Sequence, residues 1–388
     1  MRKSGINLEK VRNENRSLII KCINNGGPMS RKDIAEKTGL TAASVTQITT
    51  LLISEGILSE LGSVAESTGT AGRKKVLLDI NSAFCYVCSV SIETEVTTIA
   101  ICDIKGELFS KDAFISFPTD AGISASSFLA KIADNIVQIS GCLSKGLQKK
   151  LSCVSVGIPG IVDKENGVAV HAYGIWDTEV RVKEILEKDL ETKLKTPMPV
   201  MLTNNVDAFA TAEILFGAGR SYDSLLIIKW GPGVGSTIVI DGKVYEGRHG
   251  KTAELGHFIV DKNGQKCSCG RRGCLETLLS YKALSKQFKF KIQSFGELAL
   301  AGPKENREKI EDLIDIFAQC IVNTCTIIAP NRIILSGSLF TDKVIRELLI
   351  TACSKYDGAY NSSRICYTTL YNKESYIGPV AAFISTMW

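Results

Sequence analysis

The sequence predicts an α/β protein in two parts: a winged helix-turn-helix over residues 1–80 and a larger, two-lobed α/β domain over residues 81–388. Three observations predict it. The first eighty residues carry three helical patterns and then two short strand patterns around a Gly/Ser/Thr loop. From Phe84 onward apolar strands alternate with helices, without low-complexity segments or a fixed-period repeat. A chain of 388 residues, 45% of them hydrophobic, has material for about two or three cores, which fits two lobes with a cleft between them.

The elements follow in order. Leu8, Val11, Leu18, Ile19, Cys22 and Ile23 recur at helical spacing until Asn24-Asn25-Gly26-Gly27-Pro28 stops the helix. Ser30 and Asp33 form a capping-box start for a short second helix that ends at Gly39. Thr41 caps a third, from Ala42 to about Glu55, with Val45, Ile48, Leu51 and Leu52 as its buried stripe. Ser44, Thr46, Gln47 and Thr50 lie off that stripe and are the candidate base-reading face. Strands at 57–61 and 76–80 flank a wing, with Arg73, Lys74 and Lys75 at its base as candidate phosphate contacts. Residues 1–80 carry a net charge of +4 and the rest of the chain +1, so the basic excess sits on this module.

In the larger part, CYVCSVSI and VTTIAICDI read as adjacent strands and SASSFLAKIADNIVQIS as a helix. LSCVSVGIPG is a strand ending in a Gly turn, and VMLTNNVDAFATAEILFG is a strand running into a helix. Two strands surround Gly231-x-Gly233-x-Gly235, and NRIILSGS is a further strand-to-Gly turn. The N-terminus lacks an apolar signal core and no stretch suits a membrane helix, so a cytoplasmic protein without membrane insertion is expected. Of the 13 cysteines, those such as Cys85, Cys88 and Cys102 are expected as small hydrophobes in strands.

The stretch from Glu254 to Glu276 is chemically the densest. Cys267, Cys269 and Cys274 follow a C-x-C-x4-C spacing, and His257 precedes them by ten residues. Three thiolates and an imidazole make a complete tetrahedral set for structural Zn2+, and Gly270 and Gly273 let the loop turn tightly. Its polar neighbours, from Lys262 to Arg272, argue against an ordinary core cluster.

On the E-x-G-H at Glu254–His257, the CSCGRRGCLE at Cys267–Glu276 and the GIPG at Gly157–Gly160, the chain resembles the ROK family (repressors, open reading frames and kinases) over nearly its whole length. It is most similar to the regulator branch, which carries an N-terminal winged helix. The resemblance implies an actin-like, ribonuclease-H-like domain with a sugar in the cleft and zinc stiffening the neighbouring loop. Family kinases carry an Asp-x-Gly-Gly-Thr phosphate turn, and here that place reads Ser91-Ile92-Glu93-Thr94-Glu95, with side chains and two carboxylates opposing phosphate. The kinases' Asn-Asp, whose Asp is the general base, reads Asn204-Asn205, and an amide takes up no proton near neutral pH. The Gly231–Gly235 loop fits a hairpin turn as well as a phosphate cradle, and Ser336-Gly337-Ser338 is uninformative. No ATP is expected.

The hydroxyl-binding residues remain: Asn204, Asn205, Glu254, His257 and Glu276. His257 could serve twice, one ring nitrogen on zinc and the other on a sugar hydroxyl. His171 and His249 receive no role. Together these features imply a repressor of carbohydrate-utilisation genes that binds operator DNA as a homodimer or homotetramer and answers to a small carbohydrate in a catalytically inactive cleft. The alternatives are an active sugar kinase with an appended helix-turn-helix and a regulator controlled by a protein partner.

Overall fold

The computed structural model describes residues 8–64, 75–247, 252–288, 295–356 and 362–388. The N-terminal module contains α1 (Leu8–Gly26), β1 (Met29–Ser30), α2 (Arg31–Thr38), α3 (Ala42–Ser54), β2 (Leu58–Val64) and β3 (Lys75–Ile80). Ser30 closes the predicted capping box with Asp33, and Gly39 ends α2 in the left-handed region at φ 72°. Thr41 caps α3 by accepting from the Ser44 N–H at 3.2 Å. The two wing strands pair antiparallel, Leu58 opposite Ile80, and β1 adds to the outer edge of β3.

Two burial patterns differ from the expectation. Within α1, Val11 and Leu18 are exposed while Ile19, Ile20 and Ile23 are buried. The buried stripe is set by what the last turns of α1 pack against, part of it a surface distant in sequence. In α3, Thr49 is buried and Leu51 only half-buried. The Thr49 hydroxyl donates to the Val45 carbonyl at 2.8 Å and accepts from Arg31 Nε at 3.1 Å, so its polarity is satisfied inside.

The first lobe is built from β4 (Tyr86–Ile92), β5 (Val96–Asp103), β6 (Phe114–Pro118), α4 (Ala125–Ser140), α5 (Lys145–Gln148), β7 (Leu151–Ile158), the hairpin β8 (Ile161–Asp163) and β9 (Val168–His171), α6 (Val182–Leu194), β10 (Val200–Asn204) and α7 (Asn205–Phe216). Its sheet has the order β10-β7-β4-β5-β6, with β7 and β10 parallel to β4 and the β4-β5-β6 run antiparallel. The second lobe carries β11 (Leu225–Trp230), β12 (Val234–Ile240), β13 (Lys243–Val244), α8 (Glu276–Leu279), α9 (Tyr281–Phe288), α10 (Phe295–Ala301), α11 (Lys304–Ile328), β14 (Arg332–Ser336), α12 (Lys343–Tyr356) and β15 (Ile365–Tyr367), and the last helix, α13 (Ile377–Ser385), returns to pack on α7 and on β4, β7 and β10 of the first lobe. Its sheet order is β13-β12-β11-β14-β15, again an antiparallel three-strand run extended by two parallel strands. The lobes thus repeat one topology, although the sequence shows no repeat.

Helices cover both faces of the first sheet, so every residue of β4 is buried, Ser89 and Ser91 included, and the Ser89 hydroxyl donates to the Tyr376 carbonyl at 2.6 Å. In the second lobe Trp230 is fully buried, with the rings of Phe295, Phe317 and Phe340 edge-on at 6.2, 5.1 and 5.4 Å. Its indole N–H donates to the Leu279 carbonyl at 2.8 Å, which removes the cost of burying that donor.

The N-terminal module does not hang on a bare tether. Ile19, Ile20 and Ile23 of α1 belong to one continuous apolar core with Phe209, Ala212 and Leu215 of α7 and with Ile377, Val380 and Ala381 of α13. Asn24 Nδ2 donates to the Leu215 carbonyl and Asn25 Nδ2 to the Arg220 carbonyl. α7 therefore starts in the cleft and ends against the helix-turn-helix. No helix among the described residues is long and apolar enough to cross a membrane.

Candidate functional site

The four predicted metal-ligating residues converge. Suitable atoms of His257, Cys267, Cys269 and Cys274 all lie within 4.8 Å of one another. Cys269 Sγ is 3.6 Å from Cys274 Sγ, and Cys267 Sγ is 3.5 Å from His257 Nδ1. A tetrahedron with ~2.3 Å Zn–S and ~2.0 Å Zn–N bonds has edges of roughly 3.5–3.8 Å, which these two pairs match, so the four residues could hold zinc with the remaining separations drawn in by about an ångström or less. Gly273, at φ 70°, makes the convergence possible: a Cβ there would lie 1.5 Å from the Asp261 carbonyl oxygen. Burial, with help from Arg271, holds His257 below the usual imidazole range and so neutral, the form that ligates. Burial also raises the Cys269 thiol, but hydrogen bonds from the Arg271 backbone and guanidinium outweigh it and leave the thiol below its usual value.

The His257 ring presents Nδ1 to the sulfurs and Nε2 to Glu254, whose Oε2 is 3.7 Å away. Glu276 enters at the start of α8, and its Oε2 accepts from the Val234 N–H at 2.7 Å. Its partner segment is the Gly231–Gly235 turn between β11 and β12, closed by the Gly231 N–H on the Gly233 carbonyl at 3.0 Å. A Cβ at Gly233 would meet Glu276 Oε1 at 2.5 Å, so this glycine is needed for close approach to a carboxylate. Burial, then the nearby Glu254, pushes the Glu276 carboxyl up to about 7, against the lowering effect of the Val234 hydrogen bond.

Asn204 and Asn205 diverge in what they touch. Asn204 caps α7: its Oδ1 accepts from the Val206 and Asp207 N–H groups at 2.8 and 3.0 Å, and its Nδ2 donates to the Gly160 carbonyl at 2.8 Å. Both ends of that amide serve the scaffold. Asn205 instead donates through Nδ2 to Glu93 Oε2 at 2.9 Å. Glu93 sits in the β4–β5 turn, and its other oxygen is 2.8 Å from Lys229 Nζ of β11. Glu93 is held by an ion pair that joins the two lobes, and the same ammonium of Lys229 is shared with Glu374 at 3.8 Å.

Two residues of this region were not singled out from the sequence. Lys229 is a lone charge in the apolar run LLIIKW, which was a signal for a buried partner. Tyr173 follows β9, and its ring lies edge-on to both His171 and His257, at 4.8 and 5.5 Å between centroids. Burial and then Glu254 push its phenol up to about 12. A Cβ on its neighbour Gly174 would be 3.0 Å from the Thr94 methyl, so the Tyr173 segment spans from the β4–β5 turn to the metal-binding loop. His249, Arg73 and Lys74 lie outside the described residues.

On α3, Thr46, Gln47 and Thr50 are exposed and Ser44 is half-buried. Thr46 and Thr50 donate their hydroxyls to the carbonyls four residues back, at 2.8 Å each, and Ser44 pairs with Thr41 at 2.9 Å. Gln47 makes no side-chain hydrogen bond among the described residues, which leaves a whole amide facing outward. Lys75 lies 3.9 Å from Asp33 at the base of the wing.

Comparisons with known proteins agree with this architecture. The ROK family profile matches residues 91–383, and a winged helix-turn-helix DNA-binding profile matches residues 12–59. The xylose repressor of Bacillus subtilis (strain 168) is 28% identical over 72% of this chain and 69% of its own. The N-acetylglucosamine repressor of Escherichia coli O157:H7 is 27% identical over 72% of this chain and 66% of its own. Among solved structures, a ROK family transcriptional regulator described as a homolog of the E. coli MLC protein superposes with a TM-score of 0.76, at 24% identity, over 97% of this chain and 96% of that one. A ROK family glucokinase from Streptomyces griseus, solved with glucose and AMPPNP, gives a TM-score of 0.61 at 21% identity, over 76% of this chain and 98% of that one.

Proposed function

This chain belongs to the ROK family, and from that premise we propose that it is a DNA-binding repressor of carbohydrate-utilisation genes, controlled by a sugar in a kinase-like cleft that no longer transfers phosphate. The observation that carries this reading is the pairing of a winged helix-turn-helix with a cleft closed by Glu93. Where the family's kinases have a glycine turn and a general base, this chain has a carboxylate bonded to Asn205 and ion-paired to Lys229. The phosphate space is taken by protein, and the amide of Asn205 cannot accept a proton.

In this reading Asn205, Glu254, His257 and Glu276 bind the sugar, while Asn204 holds the first turn of α7 in place. His257, Cys267, Cys269 and Cys274 hold a structural zinc, which, when bound, fixes the ring so that Nε2 faces Glu254 and the cleft. α7 carries the signal. Its first residue, Asn205, meets the effector, and its last turn meets Asn24 of the helix-turn-helix. A ligand that binds one arrangement of the lobes more tightly shifts α7 and α13, and with them the spacing of two DNA-binding modules in a homodimer or homotetramer.

The test is a coupled ADP-release assay on the parent and on Asn205→Asp, with a panel of hexoses, pentoses and N-acetylated amino sugars. Neither protein should turn over, because Glu93 and Lys229 still close the phosphate space after the base is restored. Robust ADP release by the parent would replace the repressor reading with that of a sugar kinase.

A further inference from the structure

The charges around Asn205 distinguish one class of sugar from another. Glu93, Lys229 and Glu374 form a compact group at the junction of the lobes, with side-chain exposures of 25%, 15% and 18%. Two carboxylates against one ammonium leave this poorly solvated spot with an excess of negative charge. The ammonium is already committed, at 2.8 Å from Glu93 and 3.8 Å from Glu374. Asn205 is oriented by the same group. Its NH2 end donates to Glu93, which leaves Oδ1 as the acceptor end, with no protein hydrogen bond among the described residues.

We infer that the effector is a free, uncharged sugar that donates a hydroxyl to Asn205 Oδ1, and that Glu93 rejects the same sugar when that hydroxyl is phosphorylated. The inference rests on the sugar-controlled reading above and narrows it. A hydroxyl bonded to Oδ1 sits about 2.8 Å from that atom, on the far side of an amide whose nitrogen is 2.9 Å from the Glu93 carboxylate. A phosphate ester at that position brings a charge of about −1.5 to −2 to within roughly 6 Å of a carboxylate. At an effective dielectric constant near 20, the net single negative charge of the Glu93, Lys229 and Glu374 group, acting at about that separation, weakens binding about a hundredfold. Lys229 could meet the phosphate only by leaving Glu93, which would strand a buried carboxylate beside the incoming anion. A neutral hydroxyl meets none of these penalties, because the amide acceptor is already turned to receive it.

Calorimetric titration of the intact protein tests this, using xylose, glucose, mannose and N-acetylglucosamine beside the 6-phosphates of the three hexoses. At least one free hexose should bind, and its 6-phosphate should bind about a hundredfold more weakly or not at all. A 6-phosphate that binds as tightly as its parent sugar, or tighter, overturns this inference while leaving a sugar-controlled repressor in place. Silence from every sugar and every phosphate overturns both, and points to a regulator controlled by a protein partner. If xylose alone binds, the xylopyranose phosphates at positions 1 to 4, which keep the ring, replace the hexose phosphates, and the inference is overturned if every one of them binds as tightly as xylose. Glu93→Gln removes the charge but keeps one acceptor in place of the two that serve Lys229 and Asn205, so it lowers affinity for free and phosphorylated sugar alike, while the ratio between them, which follows the charge, should shrink at least tenfold. An unchanged ratio in a folded variant would remove Glu93 from the explanation. Should that variant not fold, the comparison on the parent protein still decides.

Discussion

At the residue scale, the metal ligands were the most legible part of the chain. Their spacing forces three sulfurs into one loop, and chemistry limits what three thiolates and an imidazole do together. The structure adds which imidazole nitrogen faces the sulfurs, a choice set by Glu254 on the other side of the ring. Replacing Cys269 by Ser should lower bound zinc from about one equivalent per chain to nearly none, and lower the melting midpoint by several degrees. Elemental analysis and a thermal melt on the same sample check both, and a parent protein that is metal-free yet equally stable would contradict the assignment. Glu93 and Lys229 were less legible. The resemblance set Glu93 where the family's kinases carry a glycine turn, but a partner 136 residues away cannot be read from local pattern. Tyr173 was missed for the same reason: only the fold brings its ring to His257.

Among the elements, caps and turns were readable because they are local. Ser30, Gly39 and Thr41 do what their types do wherever backbone donors are left over at helix ends. The buried stripe of α1 was only partly readable, because its packing surface combines α2, α3 and β3 of the same module with α7, far along the chain. For α3, the outward amide of Gln47 and the committed hydroxyls of Thr46 and Thr50 divide the labour on the DNA face. Gln47→Ala should cost about 1–3 kcal/mol of discrimination between preferred and random duplexes while leaving non-specific binding nearly intact. Arg73→Ala, at the wing, should weaken binding to all duplexes and flatten the salt dependence by about one unit of slope. Anisotropy titrations at several salt concentrations separate the two effects, and parental behaviour by both variants would mean that DNA docks elsewhere.

At the scale of the whole molecule, the α/β class was visible in the alternation of strands and helices, while the matching topology of the two lobes was not. Both sheets share an antiparallel three-strand run extended by two parallel strands, but their sequences have diverged until only hydrogen-bond order records the likeness. The same global view shows why the cleft and the DNA module form one device. α7 begins at Asn205 beside Glu93 and ends where Asn24 and the α1 isoleucines are anchored, so the proposed sugar site and the helix-turn-helix share an element about 18 Å long. The most direct measurement is fluorescence anisotropy of a duplex that the protein itself selects from a random pool, titrated with the free sugar that calorimetry identifies, with no nucleotide present. A change in DNA affinity of tenfold or more on sugar addition is the predicted result. DNA affinity that stays the same when the cleft is saturated with sugar would contradict control of the repressor through its cleft.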